Sequence, residues 1–307
     1  MAKITFSSDN LRKLLRINYY NFSETDFMVF GIRGATAVSA DFSTFKFSHE
    51  IERTDPNYNN PKCSIGIWNP VTNQIALFPG STVPHTDYMK KNLVGTAKAN
   101  CMMTGYYSYY QKGFHNPSVN GAHEALRLAT NIVLRRSNND LVFTNDDPIE
   151  VGNPSDNIHA AYCFDSNGKY SSAGCQVIVG QPNSKGRGPN SVNTGYWKIF
   201  HDIIYGVPQQ HFDYALFRYV DAEVAAVSGS NPLQARLRFG SKGDVVNQLQ
   251  QKLMASGNFH TNADGDFGRN TLMAVLEYQK AKFGLSEADG VVGNGTATSL
   301  GLILPNL

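Results

Sequence analysis

The chain has 307 residues, 41% of them hydrophobic and 17% charged, with 15 Tyr and 18 Phe. That is enough apolar material for one large core and a smaller one, and it excludes a disordered chain. The 27 Lys and Arg against 25 Asp and Glu leave a net charge of +2, and no basic run occurs. Neither nucleic acid nor an anionic membrane surface is therefore expected as a partner.

No apolar stretch approaches the roughly 20 residues of a membrane span. Residues 1–10 lack the apolar core and small-residue cleavage site of a secretory signal. Cys63, Cys101, Cys163 and Cys175 are too few and too scattered for a disulfide framework, and no CxxC pair marks a structural zinc. At least one is available as a nucleophile.

In chain order, residues 11–16 have helical periodicity. Residues 64–68 and 74–78 alternate in hydrophobicity on either side of Asn69, Pro70 and Asn73, which predicts a hairpin. The tyrosines at 106, 107, 109 and 110 fit a sheet face. Residues 122–129 read as a helix, 132–134 and 141–143 as a second hairpin around residues 137–140, and 197–204 as a helix with Trp197, Phe200 and Ile204 on one side. The fold class is α+β: a β-rich mixed-sheet domain over residues 1–227 with accessory helices. Val227, Ser228, Gly229 and Pro232 mark a seam.

Beyond the seam, residues 234–302 predict a small three-helix domain. One helix begins with Asp244 as its cap, carries Val245, Leu249 and Leu253, and ends at Gly257. A second runs from about Asn270 to Gly284. Asp264, Gly265, Gly268 and Thr271 repeat as Asp289, Gly290, Gly293 and Thr296, each set a tight turn feeding a helix start. With Leu249-Gln250 and Tyr278-Gln279, these residues resemble the three-helix peptidoglycan-binding domain of cell-wall enzymes. The resemblance implies bacterial peptidoglycan as a partner.

Chemistry concentrates between Asn157 and Gly180. Residues 158–164 read as a strand, Asp165 to Gly168 as a turn, and Cys175 precedes the apolar run Val177, Ile178, Val179. That path returns Cys175 beside His159, an imidazole able to take the thiol proton. Gly174 frees backbone N–H groups for an oxyanion, a contact worth about 3–4 kcal/mol of barrier.

His159, a twelve-residue spacer, then Ser172-Ala173-Gly174-Cys175 resemble the signature of the L,D-transpeptidase family. The resemblance implies Cys175 as the acylated nucleophile, His159 as its base, and Ser172 as an aid in orienting the imidazole, with no metal or organic cofactor. Ala173 stands where the family has a second histidine, and Gln176 where an arginine or asparagine commonly follows.

His115 is a candidate substrate-binding residue. With His123 and Cys175 it also offers zinc ligands for a metal-dependent amidase. A non-catalytic wall-binding protein is the third reading. With no export signal in view, the expectation is an antibacterial effector delivered by a specialised secretion system, paired with an immunity or inhibitor protein, or a lysin released at lysis. Either would act in the periplasm or wall.

Overall fold

A computed structural model describes residues 2–91, 99–116, 119–138 and 140–307. Pro117, between His115 and His123, and Asn139, in the expected second hairpin, lie outside the described residues.

Strand β1 (Lys3–Ser7) runs directly into helix α1 (Ser8–Ile17) through a reciprocal cap. The Asn10 N–H donates to Ser7 Oγ at 3.1 Å and the Ser7 N–H donates to Asn10 Oδ1 at 2.9 Å. There follow β2 (Met28–Arg33), β3 (Ala35–Ala37) and β4 (Ser48–Arg53), with β4 antiparallel between β1 and β3. The expected hairpin is β5 (Cys63–Asn69) and β6 (Gln74–Ser81). Asn73 takes a φ of 51° in its turn, a conformation that asparagine tolerates.

Next come α2 (Thr86–Lys91), β7 (Asn100–Met102), β8 (Gly105–His115), β9 (His123–Leu128), β10 (Ile132–Arg136), β11 (Ile149–Gly152), β12 (Ile158–Ala160) and β13 (Gln176–Ile178). Helix α3 (Gly195–Gly206), β14 (His211–Arg218) and α4 (Tyr219–Val227) complete this part of the chain. Among the described residues, β12-β13-β6-β5-β2-β14-β8-β9 close into a barrel. The β12–β13 and β14–β2 pairs are parallel, so the sheet is mixed as expected.

Two expectations need correction. Residues 123–128 form strand β9, paired along its length with β8 from Tyr110↔Leu128 to His115↔His123. Glu124, Ala125 and Leu126 are good helix formers, but a barrel partner overrides that weak local preference. Strand β10 pairs with β7 and β11, not with residues 141–143. The latter form a loop because other groups take their backbone N–H groups: Val142 donates to Asp140 Oδ1 and Phe143 to the Tyr58 hydroxyl, both at 3.1 Å.

Trp197, Phe200 and Ile204 of α3 bury against the barrel, while α1 and α4 pack with the β1–β4–β3 sheet around a second cluster. Helices α5 (Asp244–Ala255), α6 (Arg269–Phe283) and α7 (Asn294–Leu300) enclose a third cluster that includes Leu249, Leu253, Phe267 and Val275. The repeated turns work alike, with φ of 72° at Gly265 and 75° at Gly290. A buried glutamine anchors each. Gln250 bonds Asp264, Thr271 and the Gly265 N–H, and Gln279 bonds Asp289, Thr296 and the Gly290 N–H. The threonines serve these networks, and α5 starts from Gly243 with Asp244 in its first turn, not as its cap.

Candidate active site

Four consecutive barrel strands, β8, β9, β12 and β13, bring the chemistry to one end. His115 ends β8 directly opposite His123, which begins β9. His159 is central in β12, and Cys175 immediately precedes β13, which is parallel to β12 with His159 opposite Val177. The strand from 158 is shorter than expected: Tyr162 takes a φ of 61° and turns the chain out, and Ser171 returns it through a 2.9 Å bond to the Ala161 carbonyl. One donor atom from each of His115, His159 and Cys175 lies within 4.8 Å of the others. All three residues line a cavity of about 620 Å³ with Asn100, Asp156 and Ser172.

His159 is fixed in one tautomer. Its Nδ1 lies 2.8 Å from the Ala160 carbonyl, which only accepts, so the neutral ring carries its proton there and keeps a lone pair on Nε2. His115 stacks on it, with ring centroids 4.1 Å apart and planes 20° from parallel. The Asn157 Nδ2 donates to His115 Nδ1 at 2.9 Å, and its orientation is set because its Oδ1 accepts from the Leu128 N–H at 3.1 Å.

That stacking bears on zinc. The three-donor cluster contains His159 where the zinc expectation placed His123, whose Nδ1 is occupied by the Gly121 carbonyl and the Tyr162 hydroxyl. A zinc ion about 2.0–2.1 Å from a nitrogen of each ring must lie near both ring planes. Planes so close to parallel do not meet between the rings, and one ring must rotate before both bind one ion.

Electrostatics set the resting protonation. Burial pushes the Cys175 thiol well up, and Asp156 adds to it, against the Asn157 and Cys175 N–H groups that face the sulfur. Burial pushes His159 well below the usual histidine value, reinforced by His115 and His123. Burial also lowers His115, to about 4. At pH 7 a neutral thiol, which donates to the Ser155 carbonyl at 3.8 Å, and a neutral imidazole therefore share the cavity. Asp156 is raised by burial to about 7. Its Oδ1 accepts from Asn100 at 3.3 Å, and its buried Oδ2 has no partner among the described residues.

Ser172 and Gly174 lie beside Cys175 and make contacts other than those expected. The Ser172 hydroxyl donates to the Cys175 carbonyl at 2.7 Å and accepts the Gly174 N–H at 3.1 Å. Ser172 thus braces the turn into Cys175, the Ala160 carbonyl orients the imidazole, and the Gly174 N–H is already engaged. Gly174 has a steric reason: a Cβ there would lie 2.3 Å from Asn100 Nδ2. Gln176 donates to the Gly174 carbonyl at 3.1 Å and accepts from the Tyr214 hydroxyl at 3.1 Å. Sequence reading missed Asn100 and Asp156. Asp156, two residues before the β12 strand, carried a weak signal and Asn100 none.

Comparison with known proteins adds identity at the C-terminus. Residues 242–300 match the peptidoglycan binding domain family. The chain is 32% identical over 89 residues to the spore cortex-lytic enzyme of Bacillus subtilis (strain 168). That alignment spans 29% of this chain and 28% of the relative. No solved structure matches the chain. Among the described residues no helix is long and apolar enough to cross a membrane. The family match thus covers helices α5 to α7, which form a peptidoglycan-binding domain at the C-terminus, and the chain spans under a third of the relative's length.

Proposed function

We propose that this protein is a cysteine enzyme of peptidoglycan stem peptides, with an L,D-transpeptidase-like reaction in the barrel and the α5–α7 domain holding it on the wall. The observation that carries this reading is the meeting of Cys175 with His159 at an open cavity.

In the proposed reaction the Cys175 sulfur bonds to a stem-peptide carbonyl carbon while its proton passes to His159 Nε2. The oxyanion is received by the Cys175 N–H, since that of Gly174 is taken. The C–N bond breaks, His159 protonates the leaving amine, and a thioester remains. Water or an acceptor amine then attacks the thioester, His159 takes its proton, and the C–S bond breaks to restore the thiol. Water gives carboxypeptidase or endopeptidase products and an amine gives exchange or cross-links. The low basicity of buried His159 suits transient proton transfer rather than a standing thiolate–imidazolium pair.

Incubation with muropeptides, followed by mass spectrometry, tests this. Wild-type protein should shorten or exchange stem peptides, and Cys175→Ala and His159→Ala should not. The donor distances in the three-residue cluster admit a second reading, a zinc hydrolase, if one of the two stacked rings rotates. Activity abolished by a chelator and restored by added zinc, with no acyl group found on Cys175, would establish that alternative.

A further inference from the structure

A second cavity, of about 200 Å³, opens where β2, β10 and β14 approach the turn before α7. Three guanidinium groups line it, from Arg33, Arg135 and Arg218, with Asp289 as the acid in its wall. Three positive charges against one negative leave the lining at +2.

Arg33 and Arg135 bond only neutral acceptors, and Arg218 has two long ion pairs. Arg33 donates to Thr82 Oγ1 at 3.1 Å, to the Thr82 carbonyl at 2.7 Å and to the Met102 carbonyl at 2.8 Å. All three acceptors are neutral, and its Nη1 has no acceptor among the described residues. Arg135 is 7% exposed and donates to three carbonyls, of Asn145, Asp147 and Ala288. The buried Nε of Arg218 has no hydrogen-bond partner among the described residues and lies 4.0 Å from Asp221 Oδ2, while its Nη2 lies 3.8 Å from Asp289 Oδ2, both beyond hydrogen-bond distance.

Guanidinium groups do not lose their protons, so the charge persists at any physiological pH. A partly buried cation costs free energy unless an anion compensates it. The remaining chemistry suits one. The Tyr58 hydroxyl accepts the Phe143 N–H at 3.1 Å and keeps its own proton to donate. Val83, Met102 and Phe143 line the same cavity and lower the local dielectric.

We propose that this cavity binds a small oxyanion, a carboxylate or a phosphate group, through Arg33, Arg135 and Arg218. Guanidinium forks match both chemistries. The Arg135 bond to the Ala288 carbonyl ties the site to the wall-binding domain, so a ligand there would bridge the barrel and that domain. The proposal is independent of Cys175 chemistry.

Calorimetric titration of the full-length protein tests it, with inorganic phosphate, a stem peptide bearing a free C-terminal carboxylate, and its C-terminal amide, each at constant chloride ionic strength. Saturable phosphate binding assigns a phosphate ligand. Saturable binding of the peptide acid but not its amide assigns a carboxylate. In either case Arg33→Gln should weaken binding by about tenfold or more, and Asp289→Asn should tighten it several-fold by removing the competing charge, a gain that misfolding does not produce. Absence of saturable binding by both anions overturns the proposal, as does binding indifferent to both substitutions.

Discussion

The ring of His159 lies between two constraints, the Ala160 carbonyl at 2.8 Å from Nδ1 and the face of His115, whose centroid is 4.1 Å away. One fixes the tautomer and the other fixes the plane, so the Nε2 lone pair has little freedom to turn from the cavity. In the proposed reaction His115 would act through His159 as a positioning residue.

A substitution series at His115 separates these effects. His159 must be neutral to accept a proton, so activity falls on the acid side as it protonates, and burial, then His115 and His123, holds that limb well below pH 6.5. His115→Ala opens the ring to water and should move the acid limb of kcat/KM upward toward 6.5. His115→Phe retains the stack and should leave the limb low. Identical limbs in both variants would contradict the positioning role.

Asp156→Asn should make Cys175 more reactive. Asp156 ionises near pH 7, and its charge opposes thiolate formation. Alkylation of Cys175 by iodoacetamide at pH 8 should accelerate, by up to about tenfold for one unit of thiol pKa. Stability should respond as well. The folded protein holds a proton on Asp156 that the unfolded chain releases near pH 4, so wild-type stability falls as pH rises from about 4 through 7 and levels off above. The stability advantage of the variant should widen over that window by on the order of 2–4 kcal/mol, read as a growing difference in Tm. Parallel Tm curves would refute the assignment.

Gly174→Ala should cost about 1–3 kcal/mol through overpacking, because the new methyl meets the Asn100 amide at 2.3 Å. Asn100→Ala should relieve the clash, and recovery of thermal stability in the double variant is the check. An additive double variant would show that Asn100 is not the obstacle.

In the wall-binding domain, Gln250→Leu and Gln279→Leu each leave a turn N–H, of Gly265 or Gly290, without its acceptor. Each should lower stability by about 1–3 kcal/mol in denaturant unfolding, and the two costs should be similar because the networks are.

What the sequence made legible follows from range. His159 and Cys175 are joined by a short excursion, so strand spacing alone placed them side by side. The doubled Asp-Gly turns repeat their residues, and the helices around them were readable for the same reason. Strand β9 was not legible, because Glu124, Ala125 and Leu126 favour a helix locally and only the distant strand β8 makes them extended. Asn100 reaches the site from a separate sheet, and its contact with Asp156 spans 56 positions. The stacking of His115 on His159 likewise needs the barrel to close.

The most direct test is intact-protein mass spectrometry after brief incubation with a wall tetrapeptide stem. Acylation predicts a mass increase equal to the acyl fragment, mapped to Cys175, released by hydroxylamine and missing in Cys175→Ala. Turnover of the same peptide with no adduct under rapid quench, undiminished by Cys175→Ala, would contradict it.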